Sequence, residues 1–453
     1  MVIMEKRYKY CIIILFIMLF LSIPICSMGL TVGYTTGKVV DIFTKNPIKE
    51  ALVTINTDVV LTDEEGTFSI KTSGDKLAVR AYGYMRTEQK IPMTLVISPT
   101  ISIPVLIELV PFTPKALYLT VFGIGDNTLR GSALKLIDET ELNSLVIDVK
   151  GDRGIVNYRS SVPVVSEIGS RLIIIKDLKG MIKSLKEKGI YTIARIVVFK
   201  DNPLALAKPD LALKTRNGEI WNDKEGLAWV NPFKKEVWDY NIDIAIEAAQ
   251  SGFDEIQFDY VRFPDEDGLE FSMPNTEENR VKAITGFLAE ARKRLTPYNV
   301  FLAADIFGYV FWNLNDTYIG QKLEELSLML DYTSPMLYPS GFRYGIPGYR
   351  NPVASPYKII YLTLNRGRER SELPPIRFRP WLQAFRDYAF DKRHFTGQEI
   401  RDQIDAAEKF GSNGWMLWNP RNIYTKDGLK KNDDNDKLLG MQMQYLFKKK
   451  DIF

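Results

Sequence analysis

Polar and apolar side chains alternate from Glu255 to Tyr260 in the stretch "DEIQFDYVRFPDED", residues 254–267. The polar set is Glu255, Gln257 and Asp259, and the apolar set is Ile256, Phe258 and Tyr260. Because successive side chains of a β-strand point to opposite faces, each set occupies one face. A strand buried between other layers fills both faces with apolar residues. The polar face therefore predicts a functional site, with Asp259 as its candidate catalytic carboxylate.

Two further aspartates end predicted strands, Asp148 in "SLVIDVK" and Asp305 in "VFLAADIFG". Paired carboxylates are the usual machinery of glycoside hydrolysis: one protonates the leaving oxygen, and the other attacks the anomeric carbon or activates water. Burial and a neighbouring like charge can keep one of them protonated near neutral pH. We expect Asp259 to be the nucleophile or base and Asp305 the acid partner, with Asp148 as the substitute. Such a pair should lie about 5 to 10 Å apart.

Aromatic rings stack on sugar faces, and amides and guanidinium groups hydrogen-bond to sugar hydroxyls. The predicted sugar-binding residues are Gln257, Tyr338, Trp381, Trp418, Trp229, Asn231 and Arg262. Most of them lie at or just after the ends of predicted strands, with Asn419 as the alternative to Trp418; Trp229 and Asn231 lie in the loop after the third strand. Tyr338, Trp381 and Trp418 have a second interpretation, as side chains that fill a core. Arg195, inside the third strand, is predicted to be a buried counter-charge.

The residue content excludes several kinds of site. His394 is the single histidine, and both cysteines, Cys11 and Cys26, lie in the first 30 residues. Histidine-rich metal centres, Ser/His/Asp triads and thiol nucleophiles are therefore not expected, and neither is a metal or a cofactor. With 59 basic and 56 acidic residues, the chain has no excess charge for a nucleic-acid surface. His394 precedes a predicted capping box from Thr396 to Glu399 and is interpreted as a surface residue.

From about residue 115, short apolar runs alternate with amphipathic stretches of helical length. The predicted strands are "ALYLTVF", "SLVIDVK", "TIARIVVF", "EIQFDYVRF", "VFLAADIFG", "YTSPMLYP", "FRPWLQAF" and "GWMLWNP". This pattern predicts an α/β fold, a (β/α)8 barrel over residues 115–430, whose chemistry lies at the carboxyl ends of the strands. The predicted inward-facing sets include Val146, Asp148 and Lys150 in the second strand, and Phe301, Ala303 and Asp305 in the fifth. An open doubly wound sheet is the alternative, but its Gly-rich phosphate turn is only loosely matched by "VFGIGDNTLRGS".

The regions outside the barrel have their own patterns. Residues 1–28 combine a basic patch with an apolar run from Cys11 to Leu21, which predicts export through a signal peptide or an N-terminal membrane anchor. Residues 33–112 predict a small antiparallel β-sandwich, and residues 431–453 a C-terminal helix and charged tail. The protein is expected outside the cell or in the cell envelope, either free or anchored to the membrane.

The stretch "GFDEIQFDYVRFPDE" lies between "GLAWVNPFKKEVWDYNIDIAIEAAQSG" and "DYTSPMLYPS", with "LVIDVKGDRG" upstream. Together these motifs resemble a bacterial family of predicted glycoside hydrolases first known as a domain of unknown function, over about residues 117–430. The resemblance implies a TIM barrel, a carbohydrate substrate and Asp259 as the catalytic carboxylate of the motif. It does not imply a particular sugar.

Two other resemblances bear on organisation and mechanism. The order "GKVVDIFTKNPIKEALVTINT", "TDEEGTFSI", "LAVRAYGY" resembles the carboxypeptidase regulatory-like domain, which implies an Ig-like spacer or binding module without chemistry of its own. A more distant resemblance links the fourth strand to family 18 chitinases. Valine occupies position 261, where that family has its proton-donating glutamate, so substrate-assisted chitinase chemistry is not supported.

Three function hypotheses follow. The first is an exported glycoside hydrolase that uses paired carboxylates at the mouth of a barrel. The second is an inactive barrel that binds cell-wall or extracellular polysaccharide. The third, on the same scaffold, is a lyase or transglycosidase, which only its products would distinguish. The sequence indicates neither the sugar and its linkage nor the oligomeric state.

Overall fold

The computed structural model describes residues 33–91 and 104–432. The predicted N-terminal export segment, the start of the strand "ISIPVLIEL" and most of the predicted C-terminal tail lie outside these residues. Within the described part of the chain, no helix combines the length and apolar character needed to span a membrane.

Residues 33–91 and 104–112 form a module of two small sheets, called the N-terminal module below. Its strands are β1 Tyr34–Asp41, β2 Leu52–Ile55, β3 Asp58–Leu61, β4 Thr67–Lys71, β5 Lys76–Arg80, β6 Thr87–Lys90 and β7 Val105–Leu109. The sheets have the orders β4-β1-β7 and β3-β2-β5-β6, and apolar residues of both, such as Val39 and Val53, share one core. The predicted antiparallel arrangement is wrong for one pair, because β1 and β7 run parallel.

The remaining chain builds a closed barrel. The strands of this part of the chain are β8 Lys115–Leu119, β9 Ser144–Lys150, β10 Val156–Tyr158, β11 Arg171–Ile175, β12 Tyr191–Val197, β13 Lys214–Thr215, β14 Glu255–Asp259, β15 Leu269–Glu270, β16 Phe301–Phe307, β17 Tyr332–Leu337, β18 Trp381–Gln383 and β19 Trp415–Trp418. Strands β8, β9, β12, β14, β16, β17, β18 and β19 pair in parallel in this order, and β19 returns to β8. The predicted (β/α)8 barrel is confirmed, and the open sheet is excluded.

Helices connect the barrel strands and cover their outer side. They are α1 Asn127–Glu139, α2 Pro163–Glu167, α3 Leu178–Glu187, α4 Asn202–Ala207, α5 Lys235–Gln250, α6 Glu277–Leu295, α7 Leu323–Leu326, α8 Pro356–Ser371 and α9 Gly397–Phe410. Helix α9 shows how local sequence sets an element. It begins at the predicted Thr396–Glu399 capping box and ends at Gly411, whose φ of 89° suits a residue without Cβ. His394 is exposed just before it, as expected.

Strand alternation divides the barrel side chains into two packed layers. Leu145 and Ile147 of β9 join the core beneath the helices, whereas Val146 lies inside the barrel with Tyr118 and Ala303. The predicted inward position of Lys150 is wrong. A β-bulge in β9 pairs Lys150 with Ile196, a helix-facing residue. The extra residue reverses the alternation, so the Lys150 ammonium turns outward and donates to Asn241 of α5.

The N-terminal module closes the amino-terminal end of the barrel. Met85 packs among residues of the barrel interior, and the ring of Tyr82 meets the first residue of β17, Tyr332, edge-on at 6.1 Å. Buried Arg80 forms an ion pair with buried Asp331, at 2.8 Å. The module therefore contributes to the barrel core and is more than the spacer that its resemblance implied.

The Arg80–Asp331 pair predicts that the two parts of the chain unfold together. Burial acts to raise the pKa of Asp331, but the charges of Arg80 and Arg292 outweigh it and hold that pKa below its usual value. Removing the arginine leaves a buried carboxylate without its main counter-charge. We expect Arg80→Met to lower the free energy of unfolding by about 3 kcal/mol, measured by urea denaturation of the full chain.

Two comparisons control this experiment. Lys49 and Glu64 form an exposed pair in the same module at 2.7 Å, and Lys49→Met should leave the free energy of unfolding nearly unchanged because solvent screens such a pair. The double variant Arg80→Met/Asp331→Asn removes both charges and should recover much of the lost stability. If the barrel kept its denaturation midpoint in Arg80→Met, the module would not be energetically coupled to it.

Candidate active site

A cavity of about 580 Å³ opens at the carboxyl ends of the barrel strands, within the usual size range of ligand sites. Its charged lining residues are Asp152, Asp259, Asp265, Arg195 and Arg262. Its aromatic lining residues are Tyr260, Phe307, Tyr338, Phe385, Tyr388 and Trp418. This is the end of the barrel at which the polar face of β14 was predicted to create a site.

Asp259 is the last residue of β14 and borders the cavity while only 6% exposed. Its Oδ2 accepts hydrogen bonds from Nε and Nη2 of Arg195, at 3.0 and 2.5 Å, and its Oδ1 accepts from the backbone N–H of Tyr260, at 2.6 Å. Tyr260 has a φ of 49°, a strained conformation for a residue with a Cβ. The sharp turn after the strand and the two hydrogen bonds from Arg195 thus fix the position of the Asp259 carboxyl group.

Asp305 of β16 is buried directly against Asp259. Its Oδ1 accepts from Nε1 of Trp381 at 2.7 Å, and its carboxyl lies within hydrogen-bonding reach of the Asp259 carboxylate. Burial, and then the negative charge of Asp259, raise the pKa of Asp305 well above its usual value. Asp305 therefore keeps a proton beside the Asp259 carboxyl group. This contact is closer than the expected separation of about 5 to 10 Å.

Arg195 is buried and connects the acidic groups, in agreement with its predicted role as a buried counter-charge. Besides Asp259 it binds Asp148 through Nη1, at 2.7 Å, and Asp152 through Nη2, at 2.8 Å. The second oxygen of Asp148 accepts from the Tyr118 hydroxyl at 2.7 Å. Burial raises the pKa of Asp148 to about 6, against the opposing charge of Arg195. Asp148 is not among the residues that line the cavity.

The predicted sugar-binding residues divide into two groups. Trp418, Tyr338 and Arg262 line the cavity. Trp418 stacks on Tyr118, with ring centroids 4.0 Å apart and an interplanar angle of 11°, and the Arg195 guanidinium lies 4.9 Å from the Trp418 ring centroid. Asn419, the alternative to Trp418, instead donates to the Ala384 and Ile423 carbonyls and orders the following loop.

The other four predicted sugar-binding residues are buried away from the cavity wall. Gln257 and Trp381 lie one layer deeper in the barrel, where Gln257 donates to the Ser334 hydroxyl. Trp229 is packed behind Tyr260 and Arg262, and its Nε1 donates to Asp223. Asn231 accepts from the backbone N–H of Phe233 and donates to Ser272, which orders its loop.

Sequence reasoning missed several residues of the cavity wall, among them Asp152, Asp265 and Tyr388. Asp152 lies in the turn "KGDRG", directly after a strand that ends at the active end of the barrel. That position was a usable signal for a site residue. Tyr388 comes from the irregular segment after β18, where neither strand nor helix periodicity indicates which side chains face inward.

A family model described as "Putative glycosyl hydrolase domain" matches residues 116–424. The chain belongs to this glycosyl hydrolase family. The match includes β9, β12, β14, β16, β17, β18 and β19 and nearly all of β8, so the family resemblance predicted from the motifs is confirmed. It does not extend to the N-terminal module, whose assignment as a carboxypeptidase regulatory-like domain stays a prediction.

The chain is also similar to several solved structures. The glycoside hydrolase domain of PgaB (BpsB) from Bordetella bronchiseptica is 15% identical, with a TM-score of 0.51, over 73% of this chain and 98% of that one. A hypothetical protein from Ruminiclostridium thermocellum is 40% identical over 42% of this chain and 96% of its own, with a TM-score of 0.38. The spore cortex-lytic enzyme SleL of Bacillus megaterium is 12% identical over 76% and 79%, with a TM-score of 0.41. A search of curated proteins found no match.

Proposed function

We propose that the protein is an exported glycoside hydrolase that cleaves glycosidic bonds of a poly- or oligosaccharide, with Asp259 as the carboxylate that reaches the sugar. One observation carries the proposal. Asp259 borders the cavity and accepts two hydrogen bonds from Arg195, while Asp305, in contact with it, retains a proton. A carboxyl group held by an arginine and next to a protonated one, beside a cavity with aromatic walls, suits acid–base chemistry on a sugar.

The contact between the two carboxyls changes the expected division of roles. Groups that act on opposite sides of an anomeric carbon are separated by at least about 5 Å. Asp259 and Asp305 are closer, so they act as one proton-sharing unit, and Asp259 is its member at the cavity. The proton that Asp305 holds passes to Asp259, and Asp259 gives it to the leaving oxygen, so that Asp305 ends the step as a carboxylate.

Asp152 is the second carboxylate in this proposal. It borders the same cavity with its side chain 39% exposed, and it shares Nη2 of Arg195 with Asp259. Because their oxygens lie 2.8 and 2.5 Å from the same nitrogen, they are at most about 5 Å apart, near the spacing of retaining enzymes.

This spacing predicts the stereochemical outcome. We expect the first product to keep the anomeric configuration of the substrate, because Asp152 is too close to Asp259 to leave room for an attacking water. Proton NMR of the newly released sugar, recorded before mutarotation, measures this. A first product of inverted configuration would exclude Asp152 as nucleophile. Asp152→Asn should lower turnover by about 10³-fold.

A second candidate function is an inactive barrel that binds polysaccharide. The observation that favours it is that Arg195 forms ion pairs with three carboxylates, an arrangement that is also typical of a purely structural ion-pair network. A polysaccharide panel distinguishes the two functions, with reducing ends and bound protein measured on the same samples. Release of reducing sugar that Asp259→Asn abolishes supports the hydrolase, whereas binding without release supports the inactive barrel.

The export part of the proposal rests on the basic patch and apolar run of residues 1–28. Fractionation of cells that produce the full chain tests it. Protein confined to the cytoplasm would contradict it, and protein in the membrane fraction would favour an uncleaved anchor over a cleaved signal.

A further inference from the structure

Arg262 occupies an unusual position in the cavity wall, three residues after Asp259. Its guanidinium lies beside two aromatic rings, 4.9 Å from the ring centroid of Trp229 and 5.2 Å from that of Tyr260. Its side chain also lines the cavity. The two rings form apolar walls that hold the cation in place and remove water from it.

The hydrogen bonds of Arg262 leave most of its donors unused. A guanidinium has five N–H donors, and the structure shows one hydrogen bond, from Nη1 to the Phe263 carbonyl at 3.0 Å. Within residues 33–91 and 104–432, no carboxylate lies within 4 Å of it. The buried arginines inside the barrel differ, because Arg195 binds three aspartates and Arg379 pairs with Glu255.

The acids near Arg262 do not compensate its charge at contact distance. Asp259 is bound to Arg195, Asp223 is bound to Lys200, and Asp265 is exposed to solvent. Burial lowers the pKa of Arg262, against the more distant pull of these acids. A partly desolvated cation is costly unless an anion pairs with it, and here the cavity is where an anion can approach.

We propose that Arg262 binds an anionic substituent of the sugar, so that the substrate is an acidic polysaccharide. This inference rests on the proposed hydrolase function and specifies its substrate class. A carboxylate matches the planar fork of a guanidinium through two parallel hydrogen bonds, and a sulfate or phosphate ester offers the same oxygens. Neutral glucans and chitin have no group that would pair with this cation.

The test compares natural polymers with chemically neutralised counterparts. Polygalacturonate and hyaluronate supply carboxylates, and their carboxyl-reduced forms supply the same backbones without charge. Chondroitin sulfate and its desulfated form separate sulfate from carboxylate recognition, and β-glucan and chitin serve as neutral polymers. We expect the wild-type protein to cleave acidic members and to lose about 10- to 100-fold in kcat/KM when the anion is removed.

Variants at Arg262 locate the effect. Arg262→Gln should lower kcat/KM by the same factor on the acidic polymer and leave it almost unchanged on the neutralised form. Arg262→Lys keeps the charge but loses the planar fork of donors, so its kcat/KM on the acidic polymer should lie between those of the wild type and Arg262→Gln. Arg153→Gln is the matched control, an exposed arginine beside the same cavity that is not among its lining residues. Circular dichroism checks that each variant is folded. Equal losses of Arg262→Gln on charged and neutralised polymers would overturn the proposal, as would a wild type that cleaves neutral polymers only.

Binding measurements distinguish failure of the inference from failure of the hydrolase proposal. Calorimetric titrations use galacturonate oligosaccharides and their carboxyl-reduced forms with the wild type and with Arg262→Gln. If no polymer is cleaved but the acidic oligosaccharide binds through Arg262, the hydrolase is wrong and the anion site stands. If cleavage occurs and neither cleavage nor binding depends on the anion, the anion site is wrong and the hydrolase stands. Binding that shows no preference for the acidic form overturns the anion site whether or not cleavage occurs.

Discussion

Asp259→Asn is expected to lower the release of sugar by about 10³-fold or more while the protein remains folded. The amide keeps the size of the side chain and a carbonyl oxygen for one of its hydrogen bonds, but it carries neither negative charge nor a transferable proton. Arg195 retains Asp148 and Asp152 as counter-charges, so its buried guanidinium is not left unpaired. The measurement is kcat/KM on a polysaccharide that the wild type cleaves.

Asp267→Asn is the matched control for this variant. Asp267 is exposed eight residues downstream and is not among the residues that line the cavity, so the same change there should leave kcat/KM within about twofold. Thermal unfolding of both variants shows whether a loss of activity reflects a loss of fold. A folded Asp259→Asn protein with wild-type turnover would remove Asp259 from the mechanism and with it the proposed hydrolase.

Asp305→Asn is expected to lower activity and to raise stability, a combination that a purely structural aspartate would not show. The amide nitrogen replaces the protonated oxygen that faces Asp259, and the amide oxygen still accepts from Trp381. Activity should fall by about 10²-fold because the proton that Asp305 supplies is missing. The folded state should gain stability because asparagine needs no proton to be buried beside a carboxylate.

The sign of the pH dependence follows from the raised pKa of Asp305. A carboxyl whose pKa is higher in the folded state stabilises the fold only while it is protonated in both states, below its usual pKa of about 4. As pH rises towards the folded-state pKa, this contribution is lost. The stability advantage of Asp305→Asn should therefore grow as pH rises from about 4 towards the folded-state pKa, measured by urea denaturation over a series of pH values.

Asp331→Asn provides a control of opposite sign. Asp331 is as deeply buried as Asp305, each about 1% exposed, but its pKa is lowered, so its carboxylate contributes stability at neutral pH that disappears as pH falls. Asp331→Asn should thus be less stable than the wild type at pH 7 and should approach it only as pH falls below about 4. If Asp305→Asn and the wild type had parallel pH profiles, Asp305 would be ionised in the folded protein, and the proton-sharing unit would be wrong.

Period-two alternation allowed much of the barrel to be predicted residue by residue. Glu255 and Gln257 face inward as expected, because Glu255 meets Arg379 and Gln257 meets Ser334 across the interior. In β16, Phe301 and Ala303 lie inside and Asp305 reaches Trp381. Alternation is a local property of an extended backbone, so the sequence of one strand is enough to assign its faces.

The same rule failed where the backbone departs from regular geometry. The bulge in β9 turns Lys150 outward, and neither residue composition nor alternation marks its position. Trp229 and Asn231 were placed by loop position alone, and the structure shows both buried and bound to neighbouring loop groups. Loops have no period, so their inward side chains cannot be assigned from spacing.

The sequence by itself determined the fold, the active end of the barrel and the strand faces that carry the acids, because each depends on local alternation and on the order of strands and helices. Only the tertiary structure decided that Asp305 touches Asp259, that Asp152 shares Arg195 with it and that Arg262 has no carboxylate partner in the described part of the chain. Those relations join strands far apart in the chain, and they are set by barrel closure, strand register and burial. Such distances, and the pKa values that depend on them, are properties of the packed barrel, which no single strand encodes.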